Sequence, residues 1–539
     1  MTRLLLLYFF SFFSMLCFAQ TKQKVLRWDV STSSYHFDFE TDNLPKALDS
    51  LSSNGFYTLR VDSIQSQHVY INKGKNYKKV WVKNETLFQN SAFNPTSNLD
   101  SIISAYQQKN EKEGYAFSRV QIIPQGIIND EQKIQLILHQ GEQRKIDGVK
   151  AVGYPKLSKG YIKYGLGLKK NKIYNDELIH QASRVLQSTN YIQELQTPQT
   201  LFKPDSTIVY IYPQKIKSNT FDGILGFGND EYGKFKLNGN VLLELNNVFN
   251  GLEQIRLNWI ATANKNTTLD IRVKLPYLLK SPIGSETQFK LFKQDSLFVN
   301  IDLNERLFYQ INPNANIGAN LSYTSSNYLL DNEQASSAYD DYTKTGIGLS
   351  YDYYIKHPLQ LMEGKAMFRI FGASLTRKET NFSWWEEVEN KTSQQYEIGL
   401  ETYRLFELNQ KHFFKASAKF KGLFDQEDEF AENELYRIGG FGSIRGFNEE
   451  SIIANMYGIG SVEYRFLPNE GFYISLFTDY AFVDNKRIDL NTNLLSFGAG
   501  LSFLTKLGIF NLSYATGKTD QKPFDFKDSK IHFGILSQF

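Results

Sequence analysis

The chain has one cysteine in 539 residues, Cys17, so a disulfide framework, a thiol nucleophile or a cysteine-ligated metal has nothing to build on. Its seven histidines, His36, His68, His139, His180, His357, His412 and His532, are scattered without HExxH or any metal-ligand spacing, and no GxSxG occurs. Catalysis is therefore the least supported class of function, and no cofactor or metal is expected. The formal charge is only +3, with no basic run interleaved with aromatics, which gives no case for a nucleic-acid partner. After the first twenty residues no apolar run approaches the ~18 residues that a membrane helix needs. If this chain crosses a membrane, it does so as a β-barrel.

Aromatics are abundant instead: 42 Phe and 32 Tyr against 5 Trp. The start, Met1 to Ala19, reads as a secretory signal, with Arg3 ahead of the apolar run Leu4 to Phe13 and Cys17-Phe18-Ala19 before Gln20. A membrane anchor is the alternative, and Met15 and Leu16 stand where a lipidation signal has small residues. Cleavage before Gln20 would leave a mature chain without cysteine.

Residues 20 to 216 repeat one pattern three times, with boundaries expected at 20–78, 79–143 and 144–216. Leu44, Ala47, Leu48 and Leu51 have helical spacing and end at Gly55; Leu99, Ile102, Ile103 and Tyr106 end at Gly114; Leu178, Ala182, Val185 and Leu186 end at Asn190. Two candidate strands follow each helix, the clearer being Val69–Ile71, Ile134–Leu138 and Ile208–Tyr212. Gly74 to Val80 and Gly141 to Ile146 are matching phrases between repeats. Each unit reads as a small α/β domain with an open sheet edge, a template for an added strand or simply a spacer.

From 217 to 539 the helical period disappears. Phe235, Leu237, Gly239, Val241, Leu243 and Leu245 alternate with polar residues, with Leu242 out of step. Ile317, Ala319, Leu321 and Tyr323 do the same, as do Phe414, Ala416, Ala418 and Phe420 against Lys415, Ser417, Lys419 and Lys421. Segments of about ten residues suit tilted strands crossing a bilayer, and about sixteen of them are expected in a closed antiparallel barrel. One connection, 424–453, is far longer than a turn. It is acidic from Asp425 to Glu434 and carries Gly439, Gly440, Gly442 and Gly446 around Arg445. The residues leave two readings open, a glycine-rich surface loop or a loop whose arginine is held by a fixed carboxylate. A nucleotide loop is a poor third reading, since no GKS or GKT follows and the third glycine of a GxGxxG is missing.

Together, the signal segment, the repeated α/β units, the barrel pattern, Ile444-Arg445-Gly446-Phe447 and the terminal Phe539 resemble the BamA and TamA superfamily of outer-membrane assembly and translocation barrels. With three repeats the chain looks more like TamA than BamA. The resemblance implies that the repeats are POTRA domains in the periplasm, and that the long loop folds into the lumen of a bacterial outer-membrane barrel. There Arg445 would meet Asp479, in Ser475-Leu476-Phe477-Thr478-Asp479-Tyr480-Ala481, and Glu463. Phe477 and Asp479 match the family's phrase, while Ser475 and Ala481 replace its two glycines.

It further implies a seam between first and last strands that opens laterally, here bearing Gly223, Gly226 and Gly228 on one side and Gly534 and Phe539 on the other. Three glycines on the first strand would weaken its pairing. The implied function is insertion of unfolded outer-membrane clients captured by strand addition on the repeats. The alternatives are a two-partner secretion transporter for one exported polypeptide, or a passive pore or adhesin. Implied partners are outer-membrane or secreted protein clients, outer-membrane lipid and accessory periplasmic or inner-membrane proteins.

Overall fold

The computed structural model describes residues 23–88, 92–189, 191–229, 235–261, 266–295, 297–329, 339–359, 361–380, 391–505 and 508–536. The expected signal segment 1–19 and the terminal Phe539 lie outside the described residues. Two compact units are present: one reaches Lys145 and takes in Ile173–Glu177, and the other holds Ile146–Lys172 and the chain from Leu178.

The first unit contains two α/β repeats. In the first, β1 (Gln23–Asp29), β2 (Ser34–Thr41), β3 (Arg60–Gln65) and β4 (His68–Asn72) form a sheet in the order β2-β1-β4-β3, with helix α1 (Leu44–Ser53) between β2 and β3. The Asn43 side chain caps α1 by accepting from Lys46 N at 3.1 Å, and Gly55, at φ +97°, turns the chain out of it. Leu44, Leu48 and Leu51 then lie against Val25, Val69 and Ile71. The second repeat has the same order, β6-β5-β8-β7, from β5 (Val80–Lys83), β6 (Asn94–Thr96), β7 (Arg119–Ile128) and β8 (Glu131–His139), with α2 (Leu99–Lys112) before β7. In both, a strand that precedes the helix pairs in parallel with the last strand of the repeat. Reading two strands after each helix and none before misses these leaders. β5 has only four residues and β1 is half charged or polar, so neither shows a period.

The second unit opens with β9 (Gly148–Ala151), β10 (Ile192–Phe202) and β11 (Thr207–Lys215), ordered β10-β11-β9, where β9 again leads and pairs parallel with β11. Between β9 and β10 runs α3 (Asp176–Gln187), whose Leu178, Ala182 and Leu186 are buried.

The barrel follows. Its first eight strands are β12 (Thr220–Asn229), β13 (Phe235–Asn246), β14 (Gln254–Ala261), β15 (Asn266–Leu275), β16 (Ile283–Gln294), β17 (Phe298–Asn312), β18 (Ala315–Tyr328) and β19 (Tyr342–Ile355). Next come β20 (Ala366–Glu379), β21 (Thr392–Glu407) and β22 (His412–Asp425), then a hairpin of β23 (Tyr436–Ile438) and β24 (Ile452–Ala454) inside the long loop. The wall ends with β25 (Met456–Asn469), β26 (Phe472–Asn485), β27 (Leu490–Thr505), β28 (Gly508–Thr519) and β29 (Lys530–Leu536). These make one antiparallel sheet of 16 strands in chain order, with β23 and β24 apart from it. β26 shows why alternation is so strict: Ile474, Leu476, Tyr480 and Phe482 are exposed outward, where hydrocarbon would solvate them, while Ser475, Phe477, Asp479 and Ala481 are buried on the lumen face. Leu242, the residue out of step, points inward between Asn240 and Glu244 and is buried.

β12, which bears Gly223, Gly226 and Gly228, pairs with β13 without a bulge from Thr220 opposite Glu244 to Asn229 opposite Phe235. These glycines give up side-chain packing but keep both backbone hydrogen-bonding groups, and those make the ladder. β12 and β29 are the two ends of the sheet, and no ladder joins them among the described residues.

Candidate functional site

The long connection between β22 and β25 enters the lumen because its apolar residues have nowhere else to go. Ile438, Ile444 and Ala454 are buried against Tyr457, Ile459, Ala481, Val483 and Leu494, which face inward from β25, β26 and β27. Glycine makes the path possible at two places. Gly439 has φ +115°, and a Cβ there would stand 2.2 Å from the carbonyl oxygen of Asn448. Gly446 has φ +86°, and its Cβ would stand 3.0 Å from the Thr516 carbonyl carbon and 3.1 Å from Ser496 Cβ, so the backbone lies directly on the wall.

That approach delivers Arg445 to two carboxylates. The register sets Ser461 opposite Asp479 and Glu463 opposite Phe477, so Asp479 and Glu463 are diagonal neighbours on one face. Arg445 Nε donates to Asp479 Oδ2 at 2.8 Å and Nη2 to Oδ1 at 2.6 Å, a two-pronged pairing. Nη1 donates to Glu463 Oε2 at 2.7 Å, and Nη2 also reaches Ser461 Oγ at 3.0 Å. The Arg445 backbone N–H donates to Asp479 Oδ2 at 3.2 Å, and the guanidinium carbon lies 3.4 Å from the centre of the Phe477 ring. Asp479 is 1% exposed. Burial alone would lower the Arg445 pKa, but the hydrogen bonds and charges of Asp479 and Glu463 outweigh it and hold the pKa above its ordinary value. Ser475 and Ala481, where the family phrase has glycine, are accommodated with β26 in register on both sides; the ring of Phe477 instead fills the space beside Gly498, where a Cβ would meet it at 2.7 Å.

The charges continue past the pair. Arg465 Nε donates to Glu463 Oε1 at 2.6 Å and its Nη2 to Glu363 Oε1 at 3.3 Å, and Lys415 also pairs with Glu363. The result is a line of alternating sign: Asp479, Arg445, Glu463, Arg465, Glu363, Lys415. Arg465 and Glu363 carry no local signal in the sequence, and Lys415 shows there only as part of a polar strand face.

A second anchor escaped the sequence reading. Near the acidic start of the loop, Glu434 Oε2 accepts from Lys344 Nζ at 2.9 Å and lies 3.3 Å from Arg377 Nε. Burial would raise the Glu434 pKa, but Lys344 and Arg377 keep the carboxyl below the usual range. Beside it Asn433 Nδ2 donates to Ser326 Oγ and to the Asp340 carbonyl, both at 2.7 Å, and the Asn433 carbonyl accepts from Asn300 Nδ2 at 2.7 Å. The loop is thus fixed to β17–β20 at one end and to β25 and β26 at Arg445. Beside it a cavity of about 1010 Å³ remains, lined by charged residues such as Arg256, Lys290, Arg306, Asp352 and Lys419.

The expected seam residues divide between the two end strands. Gly446 N donates to His532 Nε2 on β29 at 3.0 Å, and Phe441 packs on Gly534, where a Cβ would meet it at 2.8 Å. Phe447 lies on Gly517 of β28, where a Cβ would meet its ring at 2.7 Å. Gly223, Gly226 and Gly228 lie on β12. Phe539 lies outside the described residues.

Comparison with known proteins bears on this geometry. No curated protein matches the sequence. Among solved structures, CdiB from Escherichia coli is 14% identical over 91% of this chain and 94% of its own, with a TM-score of 0.52. CdiB from Acinetobacter baumannii is 17% identical over 83% of each chain, with a TM-score of 0.51. BamA from Haemophilus ducreyi lacking POTRA domains 1–3 is 15% identical over 85% of this chain and 99% of its own, with a TM-score of 0.48. At these identities the CdiB structures share a fold, and nothing further is drawn from them. The Omp85 superfamily domain, however, matches residues 253–539, which hold fourteen of the sixteen barrel strands and the whole loop site. The chain belongs to the Omp85 superfamily and is an outer-membrane β-barrel protein with α/β repeats ahead of the barrel.

Proposed function

We propose that this protein inserts or translocates other polypeptides at the outer membrane, with its repeats in the periplasm and its β12–β29 edge as the place where a client strand is templated. The observation that carries the reading is the unjoined edge. Fifteen neighbouring pairs in the sheet are laddered, yet β12 and β29 are not paired among the described residues, which leaves two rows of backbone donors and acceptors for an incoming strand. The loop supports the same reading, because it contacts β29 directly through Gly446 and Phe441 and so bears on one side of that edge. The repeats supply further free edges at β2 and β6 for holding extended chains. Catalysis has no part in the proposal, and client folding supplies the free energy.

Depletion of the protein followed by quantitative mass spectrometry of outer-membrane and secreted fractions tests it. Loss of several unrelated integral barrels is the expected result. Loss of a single secreted polypeptide would replace insertion by dedicated secretion, and no change in either fraction would remove the reading.

A further inference from the structure

Two turns at the repeat-side end of the barrel are not plain hairpin ends. Between β13 and β14 the chain runs Asn247-Val248-Phe249-Asn250-Gly251-Leu252-Glu253, and between β15 and β16 it runs Pro276-Tyr277-Leu278-Leu279-Lys280-Ser281-Pro282. β14 pairs with β15, so the two turns are neighbours on the rim. Their tips are apolar and uncovered: Phe249 is 76% exposed and Leu279 is 100% exposed.

Holding the tips there takes an unusual backbone. Leu252 at φ +65°, Leu279 at φ +51° and Lys280 at φ +61° are all left-handed, a conformation that a residue with a Cβ rarely adopts. Buried polar groups fix the first turn. Glu253 accepts from the backbone N–H groups of Phe249 and Gly251, and Asn247 Oδ1 accepts from Leu252 N at 3.1 Å. The third repeat completes the bracing. Tyr154 Oη accepts from Asn247 Nδ2 at 3.1 Å and donates to Asn250 Oδ1 at 2.7 Å, and Lys215 Nζ donates to the Val248 carbonyl at 3.4 Å. At the second turn Gly160 lies so close that a Cβ would stand 2.8 Å from Tyr277 Cβ and 3.2 Å from Lys280 Cα, and the Tyr161 and Tyr277 rings are 5.9 Å apart. These contacts hold the turns and leave the Phe249 and Leu279 side chains uncovered.

What meets the tips follows from what adjoins them. Leu275 and Ile283, at the strand ends flanking the second turn, are exposed on the outer face, and Ile283 stands opposite the exposed Tyr309 of β17. They end the apolar band that these strands present to hydrocarbon, so the tips carry that band past the strand ends. Lys280, next to Leu279, is exposed and makes no ion pair among the described residues. An apolar side chain followed by a cation suits the boundary between acyl chains and phosphates.

We propose that turns 247–253 and 276–282 form a lipid-binding edge: Phe249 and Leu279 enter the leaflet on the side of the repeats, and Lys280 meets its phosphate groups. The ligand is a phospholipid surface. No client takes part, so the edge is tested separately from the insertion of other polypeptides.

Spin labels on the full-length barrel, folded into vesicles of phosphatidylethanolamine and phosphatidylglycerol and checked by heat-modifiable gel mobility, test the edge. In a Cys17→Ser background they are placed by Phe249→Cys, by Leu279→Cys and, on the turn between β21 and β22 at the same end of the barrel, by Gln410→Cys. Collision with dissolved oxygen, set against collision with a water-soluble nickel chelate, gives the depth of each. The labels at 249 and 279 are expected about 5–10 Å below the phosphates and the label at 410 in water. Lys280→Glu, which sets a carboxylate against the phosphates, is expected to move the 279 label outward and to leave the 249 label in place. A label at 249 or 279 as open to the chelate as that at 410 would overturn the proposal, and so would a 279 depth that Lys280→Glu does not change. A 410 label as deep as the other two would do the same, because depth would then belong to the whole rim.

Discussion

Arg445→Ala removes four side-chain hydrogen bonds at 2.6–3.0 Å and leaves a carboxylate that is 1% exposed. Breaking one partner from such a buried pair costs about 3–5 kcal/mol. The lower end applies here, because Glu463 keeps Arg465 at 2.6 Å and Asp479 keeps Ser461. A loss of about 3 kcal/mol multiplies the undocked population of the loop by roughly 10². Ser496 is 0% exposed beneath Gly446, so in a Cys17→Ser background the thiol of Ser496→Cys reacts with a maleimide only when the loop leaves the wall, and this labelling is expected to accelerate by about that factor where opening is fast relative to reaction. Arg445→Lys keeps the charge but loses the planar fork, and an acceleration of about tenfold is expected. Removing the stranded carboxylate as well, in Arg445→Ala with Asp479→Ala, is expected to recover part of the loss, since much of the cost is the unpaired charge. The reasoning is refuted if Arg445→Ala labels within threefold of the parent, or if the two substitutions worsen docking additively.

Gly446→Ala combines a left-handed backbone, which costs roughly 1–2 kcal/mol for a residue with a Cβ, with a clash on the Thr516 backbone, so its labelling is expected to rise at least tenfold, and a rate like the parent's would show that the loop rebuilds its path. Glu434→Gln is expected to free the acidic end of the loop to protease while the Arg445 end stays docked; equal protection would make that anchor redundant. The folded Glu434 pKa is depressed, so its contribution is fully present above the unfolded value near about 4.3 and is lost as pH falls through the folded one. Protease protection measured across that acid range should slope in the parent and be flat in Glu434→Gln. Ala481→Gly, which restores the residue found in the family phrase, is expected to weaken docking slightly, because Ala481 is fully buried under Ile444; tighter docking would contradict the packing described above.

How far the sequence reaches depends on how many environments a residue must satisfy. Alternation along the barrel is legible because every strand has hydrocarbon on one side and a polar lumen on the other, so Ile317 and Asn316 are chosen independently of their neighbours. The strand count and the approach of Arg445 to Asp479 and Glu463 belong to this legible part, the latter through the resemblance of Ile444 to Phe447 and of Ser475 to Ala481. Asn433 and Glu434 are illegible because an acidic loop reads as solvated until Lys344 and Arg377, about ninety and sixty residues earlier, are known to face it. Leu361 and Met362 are illegible for a related reason: two apolar residues in a short connection look like the frayed end of a strand, and only the closed wall shows where they are buried. The leading strands β1, β5 and β9 are short and pair with partners 40 to 60 residues away, where local period carries no information.

An incomplete ring is a poor mechanical structure. With no ladder between β12 and β29 among the described residues, the paired wall does not carry circumferential tension across that gap. The loop, fastened to β17–β20 on one side and to β25, β26 and β29 on the other, spans the interior like a crossbar and can bear the load the absent joint would have carried. A hoop braced from within can be left unfastened at one place and still keep its bore.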